Sequence, residues 1–374
     1  VAGGFKPAVK LLRHPSTGQL LIVLSGEPGG LYLFRQEGKE WRRFTLEEGI
    51  VVPFLDAVVD ANGAVHVAYI EGIGKDLRYL LWQDESFIFR PQVVDTGYEE
   101  GQAIPGGDLD KKVSLDLNLN NEPVISYYDA SAGFLRVARY QGSSNQWVWQ
   151  AVGEAVTGEV LRPDANGQAT TRRPFFAIPS QVRLYKNFSP LPTTAYVLLG
   201  RQSIGILNYD SRAEYELDSI APFGNSFNYG QWSSLKVRGD GAYEVSFYDF
   251  ARGLLGFATN LNPDSNLWSF EVVDAGGTVG DMNALAYAPL FRGNVQIGVY
   301  PVVAYYDGSN ANLNFAYRYK GSWSLTSLDT IGFAGLFPSI GVSEDAWVVV
   351  AYLVTDPLTL VSTLRIVRFI PLQP

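Results

Sequence analysis

The 374-residue sequence predicts an all-β chain, a seven-bladed β-propeller with four-stranded antiparallel blades and a last blade left incomplete at the C-terminus. Three observations carry this. Aromatic and β-branched residues are abundant, with 21 Tyr, 21 Phe and 8 Trp, which favours strands over helices. No segment holds a 3.6-residue apolar period for three turns. A two-strand phrase recurs: "PVISYYDASAGFLRVARY" from Pro123, "YEVSFYDFARGLLGFAT" from Tyr243 and "PVVAYYDGSNANLNFAYRY" from Pro301.

The steadiest element within each unit reads Leu/Ile-x-apolar-apolar and becomes the third strand. It starts at Leu31, Leu77, Leu135, Ile204, Leu255, Leu313 and Leu364. The second strand precedes it as "LLIVLS", "VHVAYIE", "VISYYD", "AYVLLG", "EVSFYD", "VVAYYD" and "VVVAYL". Such unbroken apolar runs suit strands covered on both faces by neighbouring blades. The first strand comes earlier still, as in "VSLDLN", "SSLKVR" and "PSIGVS", with polar turns such as "DANG" (Asp60 to Gly63) closing the hairpin. After most copies of the third strand lies a fourth that opens on an aromatic and often closes on Asp, as in "FIFRPQVVD", "WSFEVVD" and "WSLTSLD". One domain over 1–374 follows, with blades at about 1–49, 50–101, 102–160, 161–225, 226–280, 281–335 and 336–374. The last unit stops soon after its third strand, and "VAGGF" at the N-terminus is a candidate to pair there and close the ring.

Composition narrows the function. Hydrophobic residues are 47% and charged residues 18%, which excludes a disordered chain. A net charge of −9 argues against a nucleic-acid partner, because phosphate binding needs a basic face. No apolar run is long enough to span a membrane as a helix. A chain beginning at Val1 fits removal of a leader, so an extracytoplasmic location (periplasmic, secreted or surface-associated) is expected. With no Cys and only His14 and His66, thiolate chemistry and a His-rich metal site are excluded. His66 alternates within "VHVAY" and reads as structural, whereas His14 lies in the "RHPSTG" turn. There is no phosphate loop and no dinucleotide fingerprint. No catalytic set is readable, and no cofactor is implied apart from calcium as an open option.

Two series of acids gather on one face. The turn between the second and third strands shares its face with the connection to the next blade. The first series is Glu71, Asp129, Asp249 and Asp307; the second is Asp95, Asp218, Asp274 and Asp329. With Tyr128, Tyr248 and Tyr306 beside them, they are ligand-face candidates for a glycan or a cation. The other reading is that each Asp accepts hydrogen bonds from backbone N–H groups of its own turn, and repetition in several blades favours it. A second candidate site lies on the long insert at 158–179, where Arg172, Arg173, Phe175 and Phe176 combine guanidinium and aromatic groups as protein-binding hot spots do.

The phrase read from Ser114 through Trp147 resembles repeats of secreted bacterial β-propellers of the broad sialidase-like group. That resemblance implies the fold. Sialidases of the group carry Asp-box turns, Ser-x-Asp-x-Gly-x-x-Trp, and "RGDGAY" and "DANGAV" here lack both the Ser and the Trp. The expectation is therefore a non-catalytic binding or assembly module with a protein partner. The alternative is a carbohydrate-binding or carbohydrate-hydrolysing propeller that uses the acidic, tyrosine-rich face at the channel mouth.

Overall fold

A computed structural model describes residues 8–26, 29–84, 87–88, 91–96, 113–118, 120–129, 134–151, 161–163, 169–172, 177–184, 192–198, 203–209, 215–220, 229–237, 243–249, 252–260, 268–343 and 347–371. Among them there is no helix, and every strand pairing is antiparallel. Sheets of consecutive strands follow one another along the chain: the first over 9–48, the second over 54–95, the third over 113–151, the fourth over 177–220, the fifth over 229–274, the sixth over 279–329 and the seventh over 333–369. Five have four strands. The seventh has three, and a two-stranded hairpin at 161–172 stands before the fourth.

The second sheet has five strands because its outer strand is broken. Phe87–Ile88 and Gln92–Asp95 both pair with Leu77–Asp84. Pro91 lies in the gap, and a proline cannot donate to a ladder.

The first strand of each sheet packs on the first strand of the next, and the seventh returns to the first. The sheets thus radiate from a common hub, in the arrangement of a β-propeller. Their cores lie between neighbours. Leu31 and Leu33 of the first sheet meet Val65, Val67 and Tyr69 of the second. Phe257 of the fifth meets Val303 and Tyr305 of the sixth. The second strand Val65–Ile70 is covered on both faces and buried at every position. The outer strand Ser322–Asp329 is mostly exposed. Full burial of a Val, Leu or Ile side chain contributes about 1.5–3 kcal/mol, so these seams hold the sheets together.

The seam between seventh and first sheets closes by packing. Leu11 and Ile22 lie against Val349 and Ala351, and Leu11 N–H donates to Ser339 Oγ at 2.8 Å. The segment "VAGGF" lies outside the described residues.

Candidate binding site at the hub

The second acid series ties one sheet to the next. Leu31, Leu77, Leu255 and Leu313 face Glu47, Asp95, Asp274 and Asp329 across the third and fourth strands, and each pairing is followed by a bulge. The bulge turns the acid toward the next sheet. There, a tyrosine on the second strand stands opposite the residue after the repeated Leu: Tyr69 opposite Arg78, Tyr127 opposite Arg136, Tyr305 opposite Asn314 and Tyr352 opposite Arg365. Asp95 Oδ2 accepts from Tyr127 OH at 2.5 Å and from Arg136 Nη1 at 2.8 Å. Asp329 Oδ2 accepts from Tyr352 OH and Arg365 Nη1, both at 2.8 Å. Asp274 Oδ2 accepts from Tyr305 OH at 2.6 Å, and Glu47 accepts from Tyr69 OH and Arg78. Burial, reinforced by the facing carboxylate, pushes the phenols of Tyr69, Tyr127, Tyr305 and Tyr352 above the usual tyrosine range.

At the fourth-to-fifth seam the register positions carry other residue types. Ile204 pairs with Ile220 without a bulge, so Ile220 stands where the acid would, and Asp218 lies two residues short of that position. The next sheet answers with Phe247 opposite Gly256. A side chain on Gly256 would collide with the Phe247 ring. Acid, tyrosine and third-strand polar residue are exchanged together, because a buried charge left without its partner is strongly destabilising.

The first series closes turns. Asp307 Oδ1 accepts from Ser309 N–H and Asn310 N–H at 3.0 and 3.1 Å, and its Oδ2 from Asn310 and Asn314. Asp249 Oδ1 accepts from Arg252 N–H, and Glu71 accepts from Ile73 and Gly74 N–H. Tyr248 is buried and Tyr306 half-buried. Both phenols are raised by burial, with Asp281 the next cause. Tyr128 and Asp129 fall in the strand Pro123–Asp129, but their side chains lie outside the described residues. Arg172 ends the strand Ala169–Arg172 and its side chain is likewise undescribed; Arg173, Phe175 and Phe176 lie outside the described residues.

What the geometry gathers instead is a cavity of about 420 Å3 at the hub, a volume suited to a small ligand. The described part of its wall comes from the first strands of the first, second, third, fifth, sixth and seventh sheets. Among the described residues the charged groups on it are Lys10, Arg13, Asp56, Asp116 and Lys236, with Asn283 beside them. Asp56 is buried and central to this belt: it pairs with Lys10 and accepts from Ser114 Oγ at 3.1 Å and Leu115 N–H at 2.9 Å. Ser234 Oγ accepts Leu285 N–H at 3.0 Å in the same manner. These bonds satisfy open backbone edges that the inner strands turn to one another.

Sequence reasoning missed this belt, since the residue type at the shared position changes from strand to strand, from Lys10 to Asp56 to Ser114 and Ser234. A signal was present in the alignment of "VKLLR", "FLDAVV", "VSLDL" and "SSLKV", where Lys10, Asp56, Ser114 and Ser234 hold one position. Among the described residues no group of three His, Cys, Asp or Glu side chains is placed to hold a metal ion. No helix of the described residues is long and apolar enough to cross a membrane.

No family model matches the chain, and no curated protein does. Solved structures do. A Dyadobacter fermentans protein of unknown function aligns at 11% identity and TM-score 0.57, over 85% of this chain and 94% of that one. BBS1N, solved in complex with ARL6DN, aligns at 9% identity and TM-score 0.56, over 99% and 93%. AofleA from Arthrobotrys oligospora aligns at 13% identity and TM-score 0.53, over 88% and 87%. At such identities the likeness establishes the fold, a β-propeller.

Proposed function

We propose that the chain is a seven-bladed, non-catalytic binding propeller, and that its ligand is a neutral, polyhydroxylated molecule of the carbohydrate class held in the hub cavity. The closed order of inner strands supports seven blades, the last with three described strands. The observation that carries the ligand class is the balance of charge on the cavity wall. Among the described residues, Lys10, Arg13 and Lys236 stand against Asp56 and Asp116, donors beside acceptors. Sugar hydroxyls donate to carboxylates and accept from ammonium groups, so one neutral polyol satisfies both. Of the acids named from the sequence, Asp95, Asp274 and Asp329 serve this reading at one remove, by bonding neighbouring sheets to one another.

Isothermal titration against a panel of neutral mono- and oligosaccharides tests it. Binding is expected for wild type and is expected to weaken at least tenfold in Lys236→Met and Asp116→Asn, a loss of about 1.4 kcal/mol or more per side chain. No binding across the panel at millimolar concentration would overturn the reading.

A second reading, protein assembly, has its own observation. The hairpin of Val279–Arg292 and Val295–Asp307 is much longer than its counterparts. Near its tip Val295, Ile297 and Val299 are 65%, 53% and 55% exposed, alternating along one face of the strand. The partner strand Asn312–Tyr319 begins its pairing only at Val302, so this stretch carries an open edge on that side.

A further inference from the structure

Resting on the hub as the ligand site, we infer that Met282 and Phe337 form an apolar shelf in its wall, and that the ligand is a sugar with a contiguous C–H face that lies on this shelf. Backbone geometry is the first ground for it. The first strands of the fifth, sixth and seventh sheets each carry two register shifts, at Tyr229/Gln231 and Gln231/Ser234, at Val279/Asp281 and Asp281/Asn283, and at Ala334/Leu336 and Leu336/Ser339. The three read Gly-Gln-Trp-Ser-Ser, Gly-Asp-Met-Asn-Ala and Gly-Leu-Phe-Pro-Ser from Gly230, Gly280 and Gly335.

The glycines at the first shift have a packing reason. Gly280 and Gly335 have φ of +96° and +98°, and a Cβ on either would fall 2.7 or 2.8 Å from the repeated leucine of the preceding sheet, Leu255 or Leu313. The second shift is different. Met282 and Phe337 have φ of +54° and +51°, a region where a bulky side chain is strained and where Gly, Asn or Asp is the usual occupant. Two neighbouring sheets thus place a large apolar residue where the backbone alone would prefer glycine. Both side chains are only partly buried, and both line the hub cavity. Strain of this kind clusters at ligand sites, held in place by the surrounding structure.

The wall carries both kinds of group. Met282, Phe337 and Pro338 add an apolar stretch on the sixth and seventh sheets, while Lys10, Asp56, Asp116 and Lys236 bring charged groups from the first, second, third and fifth. A pyranose ring has the same two aspects, since hydroxyls disposed to one side leave C–H groups exposed on the other. A polyol without such a face, such as a linear alditol, would use the polar groups alone.

The experiment exploits the strain. Met282→Gly and Phe337→Gly relieve an unfavourable φ, so each folds with a melting temperature equal to or above that of wild type. Affinity for pyranosides from the same titration panel is expected to fall about tenfold in each, while the weaker binding of linear alditols stays within about twofold. A lowered melting temperature with pyranoside affinity unchanged would mean that the two side chains only pack the fold, and would overturn the shelf. Pyranoside binding that is lost in Lys236→Met but kept in both glycine variants would also overturn the shelf, leaving the hub site standing. Wild type that binds no sugar would remove both.

Discussion

His66 shows how a single side chain can report on a seam. It lies buried in the second strand of the second sheet, with Nδ1 2.6 Å from Tyr79 OH and Nε2 3.8 Å from Asp60. Burial lowers its pKa below the ordinary histidine value, more than Asp60 raises it. The folded state therefore binds this proton less well than the unfolded chain does. Stability from this residue is complete above pH ~6.5 and is lost as pH falls from there through the folded pKa. His66→Gln is expected to flatten that part of a urea-denaturation series between pH 7 and 5. The bonded tyrosines act at the other end. Their raised pKa values favour the neutral phenol, so their contribution is present below pH ~10 and is lost as pH rises beyond it. Arg136 is fully buried against Asp95 and Tyr127. Truncation in Arg136→Ala leaves a buried carboxylate short of its partner and is expected to destabilise by about 3–5 kcal/mol in urea melts. The combined Asp95→Ile, Tyr127→Phe and Arg136→Met replacement, which removes the charges and the phenol together, is expected to cost well under half of that.

At the scale of the element, the bulge is the repeated device. After the third strand's leucine it delivers an acid to the next sheet; in the inner strands of the sixth and seventh sheets it delivers Met282 and Phe337 to the hub. Gly335→Ala meets both a positive φ and the backbone of Leu313, so a loss of about 1–3 kcal/mol is expected, opposite in sign to Phe337→Gly two residues later. The long hairpin of the sixth sheet is the other departure from the repeat. Replacing Val295, Ile297 and Val299 together by serine is expected to leave stability within about 0.5 kcal/mol per site, since they are exposed. If the assembly reading holds, the same variant loses the partner that co-purifies with the wild-type chain; retention of that partner would remove the hairpin from consideration.

For the whole molecule, closure depends on the seam between the seventh and first sheets. Leu11 is 4% exposed and packs across it. Leu11→Ala is expected to destabilise by about 2–5 kcal/mol and to speed proteolytic cleavage within the seventh sheet, which has only three described strands to hold it.

The strands and their sheet-by-sheet order were legible in the chain because both depend on local patterning: apolar runs, turn residues and the repeated Leu-x-apolar-apolar phrase constrain pairings between strands only a turn apart. The acids were legible as repeats for the same reason, and "YYD" from Tyr127 drew notice as a site. Its first tyrosine proves to belong to the joint with Asp95, while the equivalent Asp307 and Asp249 tie down their own turns. Which residue meets which across a seam was not legible. Asp95 and Arg136, or Lys10 and Asp56, are far apart in sequence, and their approach follows from the packing angle of whole sheets. The hub is the extreme case. Its wall is assembled from strands spread between Ala8 and Ile340, so it exists only once the ring has closed.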